Sequence, residues 1–144
     1  MTDAYNLHRF LEAQEPIYDT VLDELRAGRK SSHWIWFIFP QITGLGRSGT
    51  AQQFSITSLD EAKAYLQHPV LGPRLRACTQ LMLDVNGRNA EEIFGYPDHL
   101  KFRSCMTLFL TATTDNTLFK AALLKYFDGK PDQVTLDILA QQSI

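Results

Sequence analysis

Two polar clusters and a pair of tryptophans hold most of the side chains in this chain that could do chemistry. The first cluster lies in HWIWFIFPQITGLGRS, where Gln41, Gly44, Gly46, Arg47 and Ser48 set an amide, two glycines, a guanidinium and a hydroxyl close together. Such a loop can turn backbone N–H groups and a charge toward an anion. It lacks the GKS or GKT ending of a P-loop, so a plain tight loop competes with a phosphate cradle. The second cluster, Asp98, Lys101, Arg103 and Ser104, falls on the first turn of an expected helix, where exposed N–H groups favour anions. Lys101 and Ser104, three apart, share a face there, and surface ion pairing is the competing reading. Trp34 and Trp36 point to one face if their segment is extended and could stack on a base or sugar. As core anchors they need no ligand.

Other chemistries find less support. His8, His33, His68 and His99 are widely separated and form no HxxxH, so neither a metal nor a cofactor is expected. No GxSxG occurs, and Cys105 sits on an apolar stripe that suits a core residue better than a thiolate. The carboxylates of Asp60-Glu61 and Glu91-Glu92 are adjacent in sequence, so on a helix they diverge by about 100° and read as caps and solvated faces. His33 beside Trp34 and His68 before Pro69 are general-base candidates, each with a hydrogen-bonded structural role as its rival.

The elements that must carry these residues read as helices joined by Gly and Pro turns. Leu7 to Arg26 has helical apolar spacing, with Asn6 as expected N-cap, Gly28 as stop and a break at Pro16. Trp34 to Phe39 is an apolar run without a period, either a buried strand or a single helical turn. Ser58 and Glu61 form a capping box that starts a helix ending at His68, because the residue before a proline avoids the helical region. A longer helix begins near Pro73 and closes at Gly87, and Glu91 to Phe94 is a short turn ended by Gly95. Asp98, Asp115 and Asp132 are the expected starts of three more helices, the first carrying the stripe Phe102, Cys105, Met106 and Phe109.

The 144 residues predict a single domain over 1–144, mainly α, a compact multi-helical fold with irregular Gly/Pro-rich loops and room for one short strand pair. A composition 44% hydrophobic and 21% charged is that of an ordinary globular protein. A net charge of -2 provides no field for a polyanion, so nucleic acid is not expected as a partner. Cys78 and Cys105 read as small buried apolar groups in a reducing compartment. Neither a secretory leader nor a membrane-length apolar run is present, so no membrane association is expected and the cytoplasm is the expected location. Nothing in the sequence specifies an oligomeric state.

The phrases AYNLHRFLEAQ, GRKSSHWIWFIFPQITGLGRS, EAKAYLQHPVLGPRL, IFGYPDHLKFRSCMTLF and KYFDGKPDQVTLDIL resemble a bacterial family of domains of unknown function, number 1810, also carried under the misleading label calpastatin. The resemblance runs from about residue 6 to residue 139 and includes Trp34, Trp36, Pro40, Gln41, Gly44, Gly46, Ser48, His68, Pro69, Gly72, Arg74, Lys101 and Ser104. It implies a small, mainly helical, intracellular bacterial protein and brings no settled activity. Cys105 departs from the family pattern K-x-x-S-S-M-T-L-F, which argues against an essential hydroxyl there. More remotely, the order of elements is similar to the NADAR domains, proposed to act on NAD or ADP-ribose derivatives, although no catalytic motif of that group maps onto these residues. Together these readings predict a pocket where Trp34–Ser48 meets the Asp98–Ser104 helix start. It would bind a small anionic, nucleotide-like ligand through Trp34, Trp36, Gln41, Gly44, Gly46, Ser48, Lys101, Arg103 and Ser104, with N-glycosidic hydrolysis as the first reaction to test. The alternative is an interaction module that docks a partner protein through an outward-facing aromatic segment 33–48.

Overall fold

Pro16 divides the first apolar stripe into α1 (His8–Gln14) and α2 (Tyr18–Ala27), and Gly28 closes α2 in the left-handed conformation that glycine adopts without strain. The computed structural model describes residues 3–46 and 48–142. Asn6 is not the N-cap of α1. It takes a left-handed φ of 52°, and the Asp3 carboxylate instead accepts from the N–H groups of Leu7 (2.8 Å) and His8 (2.9 Å).

The apolar run that lacked a period forms a single helical turn, α3 (Ile35–Ile38). Ser48 then starts the short α4 (Gly49–Gln53) by accepting from the Ala51 N–H at 3.1 Å. The strand pair that the sequence left room for reduces to one isolated parallel bridge, Ile42 with Ile56. In α5 (Leu59–Gln67) only half of the expected capping box forms. Ser58 accepts from the Glu61 N–H, but the Glu61 carboxylate turns to Thr57.

The α5 helix ends at His68, and α6 (Leu71–Asp84) follows at once. Gly72 makes this junction possible, because a Cβ there would lie 2.1 Å from the Leu66 carbonyl oxygen. At its far end α6 is capped from outside: Lys125 donates to the carbonyls of Leu83 (2.6 Å) and Val85, and the Tyr126 hydroxyl to that of Met82. The α7 turn (Ala90–Phe94) has a complete capping box of Asn89 and Glu92 and stops at Gly95.

The helix that organises the core is α8 (Asp98–Ala112). The sequence suggested one apolar face, yet Phe102, Ser104, Cys105, Met106, Thr107, Leu108, Phe109 and Ala112 are all buried, so α8 is covered on several sides by α5, α7, α9 (Thr117–Phe127) and α10 (Gln133–Gln142). Its buried hydroxyls fold back onto their own helix, Ser104 to the Leu100 carbonyl and Thr107 to the Arg103 carbonyl. Two expected caps are absent. Asp98 is the first helical residue of α8 and spends its carboxylate on lysines, and Asn116 rather than Asp115 precedes α9. Asp132 does cap α10, accepting from the Thr135 N–H at 3.0 Å.

Both cysteines are free and buried in this core, and burial pushes the Cys78 thiol up to about 12 and the Cys105 thiol well above its ordinary value, which disfavours the thiolate. Among the described residues, no helix is long and apolar enough to cross a membrane.

Candidate functional site

A helical α3 separates the two tryptophans that an extended chain would have placed on one face. Trp34 is the N-cap of α3, with a non-helical φ of -142°, and Trp36 lies within the turn, so the pair lacks the alternating geometry of a strand. Trp34 is 1% exposed, and its ring packs against Phe39 and Phe94. Its indole N–H donates to Glu24 at 2.9 Å. Glu24 also accepts from the Ser31 N–H (2.7 Å), the Ser32 N–H (3.0 Å) and the Ser32 hydroxyl (2.7 Å). Burial raises its pKa, but these four hydrogen bonds outweigh it and hold the carboxyl down at about 2. Trp34 is thus a core anchor on a buried carboxylate and has no face left to stack on a ligand.

Trp36 is half-buried, and the Lys101 ammonium lies 4.5 Å from its ring centroid. The structure therefore brings together one aromatic and one cation of the expected pocket. Lys101 is already committed, however, sharing the Asp98 carboxylate (3.2 Å) with the buried Lys30 (2.7 Å). Arg103 faces elsewhere, donating to the carbonyls of Lys130 (3.0 Å) and Pro131 (3.2 Å), and Ser104 is buried.

In the glycine-rich loop, Gly44 has a φ of 111°, and a Cβ on Gly46 would lie 2.4 Å from that of Ala51. The Gln41 carbonyl takes the Ile56 N–H at 2.8 Å. With Ser48 capping α4, these residues shape the loop itself; Arg47 lies outside the described residues. His33 is exposed. Within the aromatic segment Trp34, Ile35, Ile38 and Phe39 are buried, and Trp36 and Phe37 are half-buried.

A groove of about 570 Å³ opens beside this loop instead, in the size range of small-molecule sites. The N-terminal segment from Ala4 to Asn6, Thr43 and the end of α4 (Gln52, Gln53) line it together with Ser55, Thr57 and Glu61. Arg9 of α1 holds the walls together. Its guanidinium donates to the carbonyls of Gln53 (2.7 Å), Tyr5 (2.7 Å), Asn6 (2.8 Å) and Ser55 (2.8 Å), and to Glu61 at 3.0 Å. The Glu61 side chain is only 2% exposed and also accepts from the Thr57 N–H (2.9 Å) and hydroxyl (2.6 Å). Thr43 and Ser55 join their hydroxyls at 2.7 Å. Three remote segments are thus tied around one ion pair whose formal charges cancel, leaving a wall of hydroxyls and amides.

The family model described as "Protein of unknown function (DUF1810)" matches residues 4–139. The chain belongs to this family. A crystal structure of the conserved hypothetical protein Rv1873 from Mycobacterium tuberculosis is similar at 55% identity, with a TM-score of 0.95, covering 96% of this chain and 99% of that one. No curated protein matches.

Within this DUF1810 chain a second cavity, about 460 Å³, lies on the other side of Ala4 and Tyr5, which line both. His68 and Pro69 form one end of it, and Leu7, Leu11 and Ala64 are among its walls. His68 Nδ1 accepts from the N–H groups of Val70 (3.1 Å) and Leu71 (3.2 Å), serving as a side-chain cap at the start of α6. This is the structural role that competed with general-base chemistry at His68.

Sequence reasoning missed Arg9, Glu61 and the hydroxyls around them. Glu61 was visible only as half of a capping box, and Arg9 only as one letter of AYNLHRF. Their pairing spans 52 residues, beyond the reach of any helical spacing.

Proposed function

We propose that this DUF1810 chain binds a small nucleotide-like ligand in the groove between Tyr5, Arg9, Thr43, Gln53 and Glu61. The groove itself carries the reading: it has the volume of a ligand site and a wall of hydroxyls and amides around a neutralised ion pair. Such a lining suits the hydroxyl-rich part of a ligand, a ribosyl group, better than a naked polyanion. Arg9 acts as the brace of the site, because its donors are already spent on four carbonyls and Glu61. This moves the site away from Lys101 and Ser104, whose polar groups are used inside the fold. ADP-ribose derivatives are the first compounds to test. If bond cleavage follows binding, hydrolysis of an N-glycosidic bond is the first reaction to assay.

A thermal-shift titration with ADP-ribose, repeated on Gln53→Trp, tests the reading. Gln53 is exposed at the groove wall, so a tryptophan there obstructs the cavity while leaving the core alone. The expected result is a concentration-dependent rise in Tm for the wild type, by mass action, that Gln53→Trp abolishes. A folded wild type that shows no shift, or a shift of equal size in the variant, overturns it.

A further inference from the structure

The cavity beyond Tyr5 differs in kind from the groove. Leu7, Leu11, Ala64 and Pro69 give it largely carbon walls, and Tyr5, 37% exposed, stands at the boundary between the two. The polar groups around it are mostly spoken for: Asp3 accepts from the Leu7 and His8 N–H groups, and His8 pairs with Glu12 at 2.9 Å. His68 is the exception. With Nδ1 accepting two backbone N–H groups, its ring proton belongs on Nε2, which makes no such bond among the described residues and is the donor edge this residue can offer. A mostly apolar cavity with one oriented donor is how sites for planar ring systems are commonly built.

We propose that this cavity holds a planar heteroaromatic ring that accepts a hydrogen bond from His68 Nε2. The ring belongs to the same ligand whose hydroxyl-rich part occupies the groove, with Tyr5 between the two. The ring compartment stands on the cavity and the His68 tautomer; the joining of the two halves rests on the function proposed above. A purine has the required chemistry, with two apolar faces for Leu11 and Ala64 and in-plane nitrogen acceptors for the imidazole N–H.

Saturation-transfer NMR with adenine, ribose 5-phosphate and adenosine 5′-monophosphate tests this on the full chain. Leu11→Trp fills the cavity. His68→Asn keeps a side-chain oxygen for the Val70 and Leu71 N–H groups, as asparagine is a good cap, but removes the imidazole donor. Adenine is expected to bind the wild type, about tenfold more weakly in Leu11→Trp and about fivefold more weakly in His68→Asn, the latter corresponding to one ordinary hydrogen bond. The monophosphate is expected to bind more tightly than adenine and to be weakened by both Leu11→Trp and Gln53→Trp. Ribose 5-phosphate binding without adenine binding overturns the ring compartment and leaves the groove reading standing. Adenine binding that Leu11→Trp does not change also overturns it, and silence from all three compounds overturns both. Melting curves confirm that each variant is folded, and Ala64→Phe, filling the cavity from α5, replaces Leu11→Trp if that variant unfolds.

Discussion

Replacing Glu24 with alanine removes the acceptor for four hydrogen bonds at once, and the cost can be worked from their surroundings. The Trp34 indole N–H is buried with its ring and is left without a partner, which costs roughly 1–3 kcal/mol. The Ser31 and Ser32 N–H groups lie nearer the surface and regain water, adding about 1 kcal/mol between them. The sum is about 3 kcal/mol, a large part of the roughly 5–15 kcal/mol that holds a domain folded. In urea, with m about 2 kcal/mol/M, the midpoint should fall by about 1.5 M at unchanged m.

Glu24→Gln adds a pH signature. Because the folded-state pKa is depressed to about 2 from 4.5, the carboxylate's contribution is complete above pH 4.5 and is lost as pH falls toward 2. The stability gap between wild type and Glu24→Gln should therefore be widest near neutral pH and close as the acid is approached. Glu12→Ala, at an exposed position on α1, serves as the control and should stay within about 0.5 kcal/mol. A Glu24→Ala midpoint shift below about 0.5 M, or a gap to Glu24→Gln that does not change with pH, refutes the reasoning.

Two further predictions concern packing and charge. Gly72→Ala should destabilise by about 2–3 kcal/mol in thermal melts, since its Cβ would meet the Leu66 backbone oxygen, whereas Gly49→Ala, with open space around it, should be neutral or slightly stabilising. Equal effects at the two sites would contradict the close approach of α5 and α6. Asp98→Ala should cost about 3 kcal/mol by urea denaturation because it strands the buried Lys30 ammonium; Lys101→Ala should cost less than about 1 kcal/mol because the Lys30–Asp98 pair survives. A larger loss from Lys101→Ala than from Asp98→Ala would reverse the assigned roles.

Most helix ends were legible along the chain because proline and glycine act locally: Pro16 divides α1 from α2, Pro69 stops α5 at His68, and Gly28 and Gly95 end α2 and α7. Carboxylates were less readable, since the same side chain can cap its own helix or reach another segment. Asp132 does the first, while Asp98 and Glu61 do the second.

By itself, then, the sequence determined a mainly helical chain, the places where its helices break, and its family. The tertiary structure alone decided which residues meet. Trp34 became a core anchor because a carboxylate ten residues earlier lies against its N–H, and Arg9 and Glu61 became the brace of a groove because α1 and α5 converge there. Helical periodicity says which side of a helix is apolar, but it carries no information about which distant segment that side, or the polar edge beside it, will face.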